Sequence, residues 1–262
     1  MDKWQGKVAL VTGSSKGIGK NVAENLVKHG LIVIGCGRKM EDLVKLKNEL
    51  PEEMREKFIP FQCDIRKEEE ILSMFSFIRN NFKELSILIN NAGVVLEVGM
   101  GSILHGNTEN FKNIYETNVL GLCMCSREAF SLMHEKELGQ KELNIIPGHI
   151  ININSTAGHK VFSFSSIHFY SASKFSVTAI TEGIRQELNE IKSNIKVTQI
   201  SPGPVETGIF SKAREASVEQ KIKVNSLQKL ETQDVTSAVI FVLSTEARNN
   251  VNEIIIAPTG SA

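Results

Sequence analysis

"VTGSSKGIGKNVAENLVKHG", residues 11–30, sets Gly13, Gly17 and Gly19 directly after a short apolar run and directly before a helical pattern. Two explanations compete for such a cluster. Glycines often mark no more than a strand-to-helix turn. They are also needed where backbone must approach a bound phosphate too closely for side chains. The cluster here follows the first strand and opens a helix, which is the context the phosphate explanation requires. Amides at that helix N-terminus would face a pyrophosphate with a favourable dipole behind them. The spacing is G-x-x-x-G-x-G rather than the G-x-G-x-x-G of the standard dinucleotide fingerprint, so other positions must carry the case.

Outward from this stretch, apolar runs and helical patterns alternate along the whole chain. "KVALVT" (7–12), "LIVIGC" (31–36), "KFIPFQ" (57–62), "SILIN" (86–90), "HIININ" (149–154), "KVTQIS" (196–201) and "EIIIAP" (253–258) read as strands. Several are continuous rather than alternating, as expected of strands covered on both faces. Helices are expected over about 18–29, 40–50, 67–82, 108–137, 170–192 and 232–244. This order predicts an α/β fold, a doubly wound, seven-stranded parallel sheet with helices on both faces. Right-handed crossovers would place the carboxyl ends of the strands on one ligand-binding edge. No repeat, low-complexity tract or linker interrupts residues 1–262, so a single domain is expected. The polar segment Val205–Leu230, after the "SPGP" breaker at 201–204, is expected to be a substrate-binding loop or lid. "KELGQKELNIIPG" (136–148) reads as a surface loop.

Composition narrows the function classes. Lys plus Arg and Asp plus Glu each number 30 in 262 residues, a balance that does not call for nucleic acid or an anionic membrane as partner. The opening "MDKWQGKVAL" has no long apolar core, and no stretch approaches a membrane span. Four scattered cysteines suit the reduced thiols of a cytoplasmic protein, with no ligand cluster suggesting a metal.

"TGSSKGIG" (12–19), "NNAG" (90–93), Asn118 in "ETNVLG", Ser155 in "ININSTAG", "YSASK" (170–174) and "SPGPVET" (201–207) occur in an ordered set. Together they resemble the short-chain dehydrogenase/reductase family, from the first strand to the last. The resemblance implies a Rossmann-like fold and a nicotinamide-dependent oxidoreductase. Within that family, "GNTENFKNIYETNVLGLCMCSREA" and the stretch from "GHIININSTAGHKV" through "HFYSASKFSVTAITEGIRQEL" are similar to the farnesol dehydrogenase-like branch of insects.

Tyr170 and Lys174 are four apart in a predicted helix and so share one face. A free phenol, with a pKa of about 10, is a poor acid or base at neutral pH. A nearby ammonium favours phenolate, and lowering the phenol by about three units would take roughly 4 kcal/mol. The expectation is therefore a lowered Tyr170, acting as general acid in reduction and base in oxidation. The family resemblance gives Lys174 the nicotinamide ribose as well, and makes Ser155 the residue that orients the substrate oxygen. Thr156 is the next-best hydroxyl, but the S-x-x-G match ending at Gly158 favours Ser155. By the same resemblance Asn118, inside the fifth helix, would hold a water linking the lysine to solvent; a satisfied core amide is the alternative.

An acidic residue at the end of the second strand would bind an adenosine ribose and repel a 2′-phosphate. Here Gly37 stands in that place, followed by Arg38 and Lys39, with Lys16 in the glycine loop. A missing acid and added cations argue for NADP(H) over NAD(H). The resemblance adds Ser15 and Ile18 to the phosphate loop, Asp64 and Ile65 at the adenine, and Asn91, Ala92 and Gly93 along the adenosine side. Pro202, Gly203, Val205 and Thr207 would hold the carboxamide end. Val161, Phe162, Phe164 and Phe169, with Ile209 and Phe210 of the lid, suit a lipophilic alcohol, aldehyde or ketone, either a terpenoid such as farnesol or a steroid-like ketone. His159 and His168 are expected to be exposed or capping residues. A homodimer or homotetramer is implied, and a catalytically silent cofactor-binding protein is the rival class.

Overall fold

A computed structural model describes residues 1–95, 101–139, 146–207 and 228–260. Seven strands, β1 (Val8–Thr12), β2 (Ile32–Gly37), β3 (Phe58–Gln62), β4 (Ile87–Asn90), β5 (His149–Ile153), β6 (Lys196–Pro202) and β7 (Glu253–Ile256), form one sheet in the order β3-β2-β1-β4-β5-β6-β7. Every neighbouring pair is parallel. The helices between them are α1 (Gly17–Lys28), α2 (Met40–Glu49), α3 (Glu68–Phe82), α4 (Thr108–Tyr115), α5 (Gly121–Leu138), α6 (His168–Glu190) and α7 (Thr232–Ser244).

Alternation along each strand feeds two cores. Ala9, Val11, Val33, Ile87, Ile89, Ile151 and Ile200 face a layer built by α1, α2 and α7, including Val22, Leu26, Leu43 and Val239. Val8, Leu10, Ile34, Leu88, Ile150 and Val197 face the opposite layer, against Ile71, Met74 and Ile78 of α3, Cys125 and Ala129 of α5 and Leu188 of α6. Strands with both faces covered account for the unbroken apolar runs of the sequence. Chain order reverses between β1 and β4, so the loops leaving their carboxyl ends diverge and open a crevice.

The helix expected over 108–137 is not continuous. A π-helical turn, Glu116–Leu120, separates α4 from α5, so Asn118 lies in a widened turn rather than in a regular helix. Most of the expected lid, residues 208–227, lies outside the described residues, as do positions 140–145 of the expected surface loop. The lid's two ends are held together: Val205 and Leu230 form a parallel bridge, and Lys229 pairs with Glu206 at 2.8 Å. Cys36, Cys63 and Cys125 are buried, Cys123 is half-buried, and all four are free thiols.

Candidate active site

The first rim of the crevice is the glycine loop. Gly13 and Gly17 take φ of +67° and +58°, a left-handed region in which a side chain is strained. A Cβ on Gly13 would stand 2.8 Å from the Cα of Ala92, and one on Gly17 would stand 3.2 Å from Thr207 Cγ2. A Cβ on Gly19 would collide with the Asn91 amide and the Gly13 carbonyl. The loop is therefore packed against β4 by its own lack of side chains. Asn91 adds hydrogen bonds from its amide nitrogen to the carbonyls of Thr12 (2.9 Å) and Gly13 (3.1 Å), and Thr12 Oγ1 accepts from the backbone of Asn91 and Ala92. Asn91 thus holds the loop in place. Lys16 is the N-cap of α1, and no side chain caps the first turn of that helix. An uncapped N-terminus beneath a side-chain-free cradle fits a pyrophosphate. Ser15 and Ile18 are half-buried beside it.

Arg38, Lys39 and Lys16 are exposed, and Gly37 is buried against Leu43 at the end of β2. Asp64, expected at the adenine, pairs with Arg66, whose Nε donates to both carboxylate oxygens at 3.0 and 3.1 Å. That guanidinium holds the Asp64 carboxyl below the usual carboxylate range, and the charge of Arg38 adds to the effect. Arg66 also reaches Asn113 of α4 at 3.1 Å. Ile65 is buried in the core and packs on Gly121.

The second rim brings Ser155, Tyr170, Lys174 and Asn118 together. Ser155 follows β5 and caps a single 3-10 turn, Thr156–Gly158, its Oγ accepting from the Ala157 amide at 3.1 Å. Its hydroxyl also lies close enough to the Tyr170 phenol to favour the charged form of that ring. Fifteen positions separate Ser155 from Tyr170, and Ser165–Ile167 form another short turn in the loop before α6. Lys174 is buried, and its Nζ donates to the Ile153 carbonyl at 3.0 Å. Asn118 is buried too; its side chain clasps the backbone of Val94 (2.8 and 3.0 Å) and donates to Ser173 Oγ at 3.1 Å. Gly93 lies between Asn118 and Lys174, each close to where its Cβ would be.

The electrostatics of this cluster differ from the expectation. Tyr170 is pushed up to about 12 by desolvation of its phenol, opposed by the nearby Ser155 hydroxyl, rather than lowered by Lys174. The ammonium lies over the tyrosine ring, 5.8 Å from its centroid, and donates to Ile153, so it does not compensate for desolvation. Burial also pulls Lys174 down to about 8. The resting tyrosine is a neutral acid with a proton to give.

Pro202 ends β6, and Gly203 donates to the Ile256 carbonyl at 2.7 Å, turning the chain so that Val205 is buried and Thr207 arrives opposite Gly17. Among the expected pocket residues, Phe169 stacks on Phe111 with centroids 4.2 Å apart, Phe162 and Phe164 are half-buried and Val161 is largely exposed. Ile209 and Phe210 lie outside the described residues. His168 bonds the Phe162 carbonyl (3.0 Å), and His159 is tied into a polar cluster, not simply exposed. Sequence reasoning missed Arg66, Ser173 and Phe111. Arg66 stands two residues after Asp64, the spacing of an Asx-type turn, and its backbone N–H does bond that carboxylate at 3.1 Å. Ser173 and Phe111 carry no such local signal.

Residues 7–218 match the family model for short chain dehydrogenases. The chain is 44% identical over 261 residues to dehydrogenase/reductase SDR family member 11 of Gallus gallus, covering 99% of this chain and 98% of that one. It is 39% identical over 260 residues to farnesol dehydrogenase of Aedes aegypti, covering 99% of each. The closed form of a serine dehydrogenase complexed with NADP+ superposes with a TM-score of 0.80 at 30% identity, over 95% of this chain and 93% of that one. Fold, glycine loop and sequence similarity along nearly the whole length agree, and the chain belongs to the short chain dehydrogenase family.

Proposed function

We propose that this protein is an NADP(H)-dependent oxidoreductase that interconverts a lipophilic alcohol and its carbonyl. One arrangement carries the reading: Tyr170 stands with the Lys174 ammonium 5.8 Å from its ring and with Ser155 capping the turn after β5, on the crevice edge that also holds the glycine loop. Gly13, Gly17 and Gly19 would cradle the pyrophosphate. Arg38, Lys39 and Lys16 would meet a 2′-phosphate, supported by the absence of an acid at Gly37. When bound, the nicotinamide supplies the hydride in reduction and accepts it in oxidation.

In reduction Tyr170 gives its hydroxyl proton to the substrate oxygen, and in oxidation it takes that proton back. Ser155 donates a hydrogen bond to the same oxygen and orients it toward the tyrosine. Lys174, its ammonium 5.8 Å from the tyrosine ring, would hold the nicotinamide ribose. Asn118, locked to Val94 and Ser173, fixes the chain beside the lysine and so keeps the route for proton return in place.

Phe111, Phe162, Phe164 and Phe169 support an extended apolar substrate, and the Aedes aegypti relative supports a terpenoid alcohol such as farnesol. Exposed Tyr115, Leu120 and Phe175 around α4–α6 support a homo-oligomer. The free thiols suit a cytoplasmic location. Purified protein should oxidise NADPH in the presence of long-chain terpenoid aldehydes, with kcat/KM at least about tenfold higher for NADPH than for NADH. A preference for NADH, or turnover confined to small polar carbonyls, would contradict this reading.

A further inference from the structure

The 3-10 turn capped by Ser155 is held at its far end by a cluster that the proton chemistry does not use. The Gly158 carbonyl accepts from Thr178 Oγ1 of α6 at 3.1 Å. His159, the next residue, turns toward the sheet edge, with Nε2 2.8 Å from Glu253 Oε1 and 3.0 Å from Ser201 Oγ. The same Glu253 oxygen accepts from Gln199 Nε2 at 2.7 Å and from Ser201 Oγ at 3.0 Å. Gln199 and Ser201 are buried on β6, whereas Glu253 opens the edge strand β7. An ionised carboxylate only accepts, so the imidazole must present Nε2–H to it. Hydrogen bonds with one charged partner are about twice as strong as neutral ones. A surface-edge carboxylate is thereby linked, through one side chain, to the turn that presents Ser155.

We propose that His159 is a positioning residue: its hydrogen bond to Glu253 fixes the Ser155–Gly158 turn and so sets how the substrate oxygen is held against Tyr170. The inference rests on the role given to Ser155 above. Loss of the tie leaves the C-terminal end of the turn held only by the Thr178 bond to Gly158 and by backbone bonds to Thr156. The glycine loop leaves β1, which is separated from β5 by β4, and keeps its own contacts to Asn91 and Ala92. The effect therefore falls on turnover and not on cofactor binding.

The test compares the native protein with His159→Ala, His159→Gln, Glu253→Ala and the double alanine variant. Amide hydrogen exchange and steady-state reduction of a terpenoid aldehyde by NADPH are both measured. Each single alanine variant should lower kcat by about tenfold or more, with KM for NADPH changed less than about twofold. The double variant should be no worse than the more impaired single one, because both remove one interaction. His159→Gln keeps an N–H at similar reach and should recover kcat to within about threefold of native. Exchange at residues 155–160 should rise at least about tenfold in the alanine variants and stay unchanged at residues 17–22. Native kcat in His159→Ala, unchanged exchange in the turn, or exchange raised equally in the glycine loop overturns the proposal. If native protein reduces no carbonyl, the functional reading fails, and the exchange pattern alone decides whether His159 holds the turn.

Discussion

At Gly19 a single methyl group decides whether the loop closes on β4. A side chain there would meet the Asn91 amide and the Gly13 carbonyl, both already bonded to each other, so neither can yield cheaply. Gly19→Ala is expected to destabilise the fold by about 1–3 kcal/mol. It should also raise KM for NADPH by about tenfold or more, with kcat at saturation much less affected. Thermal unfolding and NADPH titration check both, and native values for the two would contradict the packing account. The glycines were legible in the sequence because their spacing reports a local backbone requirement. The state of Tyr170 was not. Helical spacing correctly put Lys174 on its face, but only the folded chain reveals that the ammonium is engaged by Ile153 while the phenol is desolvated. Asp64 is a similar case, with a carboxylate whose partner, Arg66, is local but whose further contact at Asn113 is not.

Elements were legible wherever burial on both faces left an unbroken apolar run, and each expected strand lies within about two residues of its observed limits. The break between α4 and α5 was hidden, because a π turn keeps helical composition and alters only which carbonyl each amide meets. The pairing of β5 with β6 also has an energetic consequence that the sequence concealed. His149 opens β5, fully buried, with Nε2 2.8 Å from Thr198 Oγ1 and Nδ1 lacking a hydrogen-bond partner. Burial, with Lys196 and Lys3 nearby, drives its pKa down to about 3. The folded state therefore keeps it neutral while the unfolded chain takes up a proton below about 6.5. Stability contributed by the neutral imidazole is complete above that pH and is lost as pH falls toward 3, by up to about 5 kcal/mol. In His149→Gln, which retains a group able to bond Thr198, denaturant midpoints should fall less steeply from pH 6.5 to pH 4 than in native protein. Parallel pH dependences would show that His149 does not titrate in this way.

Across the whole molecule, a doubly wound sheet turns residues scattered from position 13 to position 207 into neighbours on one edge. β1 supplies the cradle, β4 and β5 supply Gly93 and Ser155, α6 supplies Tyr170 and Lys174, and the chain leaving β6 returns Thr207 to Gly17. No helix among the described residues is long and apolar enough to cross a membrane. The central claim is that the Tyr170 hydroxyl moves the proton, and the direct measurement is NADPH-dependent reduction of a terpenoid aldehyde by Tyr170→Phe, with NADPH affinity measured on the same sample. The phenylalanine ring preserves packing and removes only the oxygen, so kcat should fall by about 10²–10⁴-fold while NADPH still binds. Turnover within about twofold of the native protein, in a variant that folds and binds NADPH normally, would contradict the account.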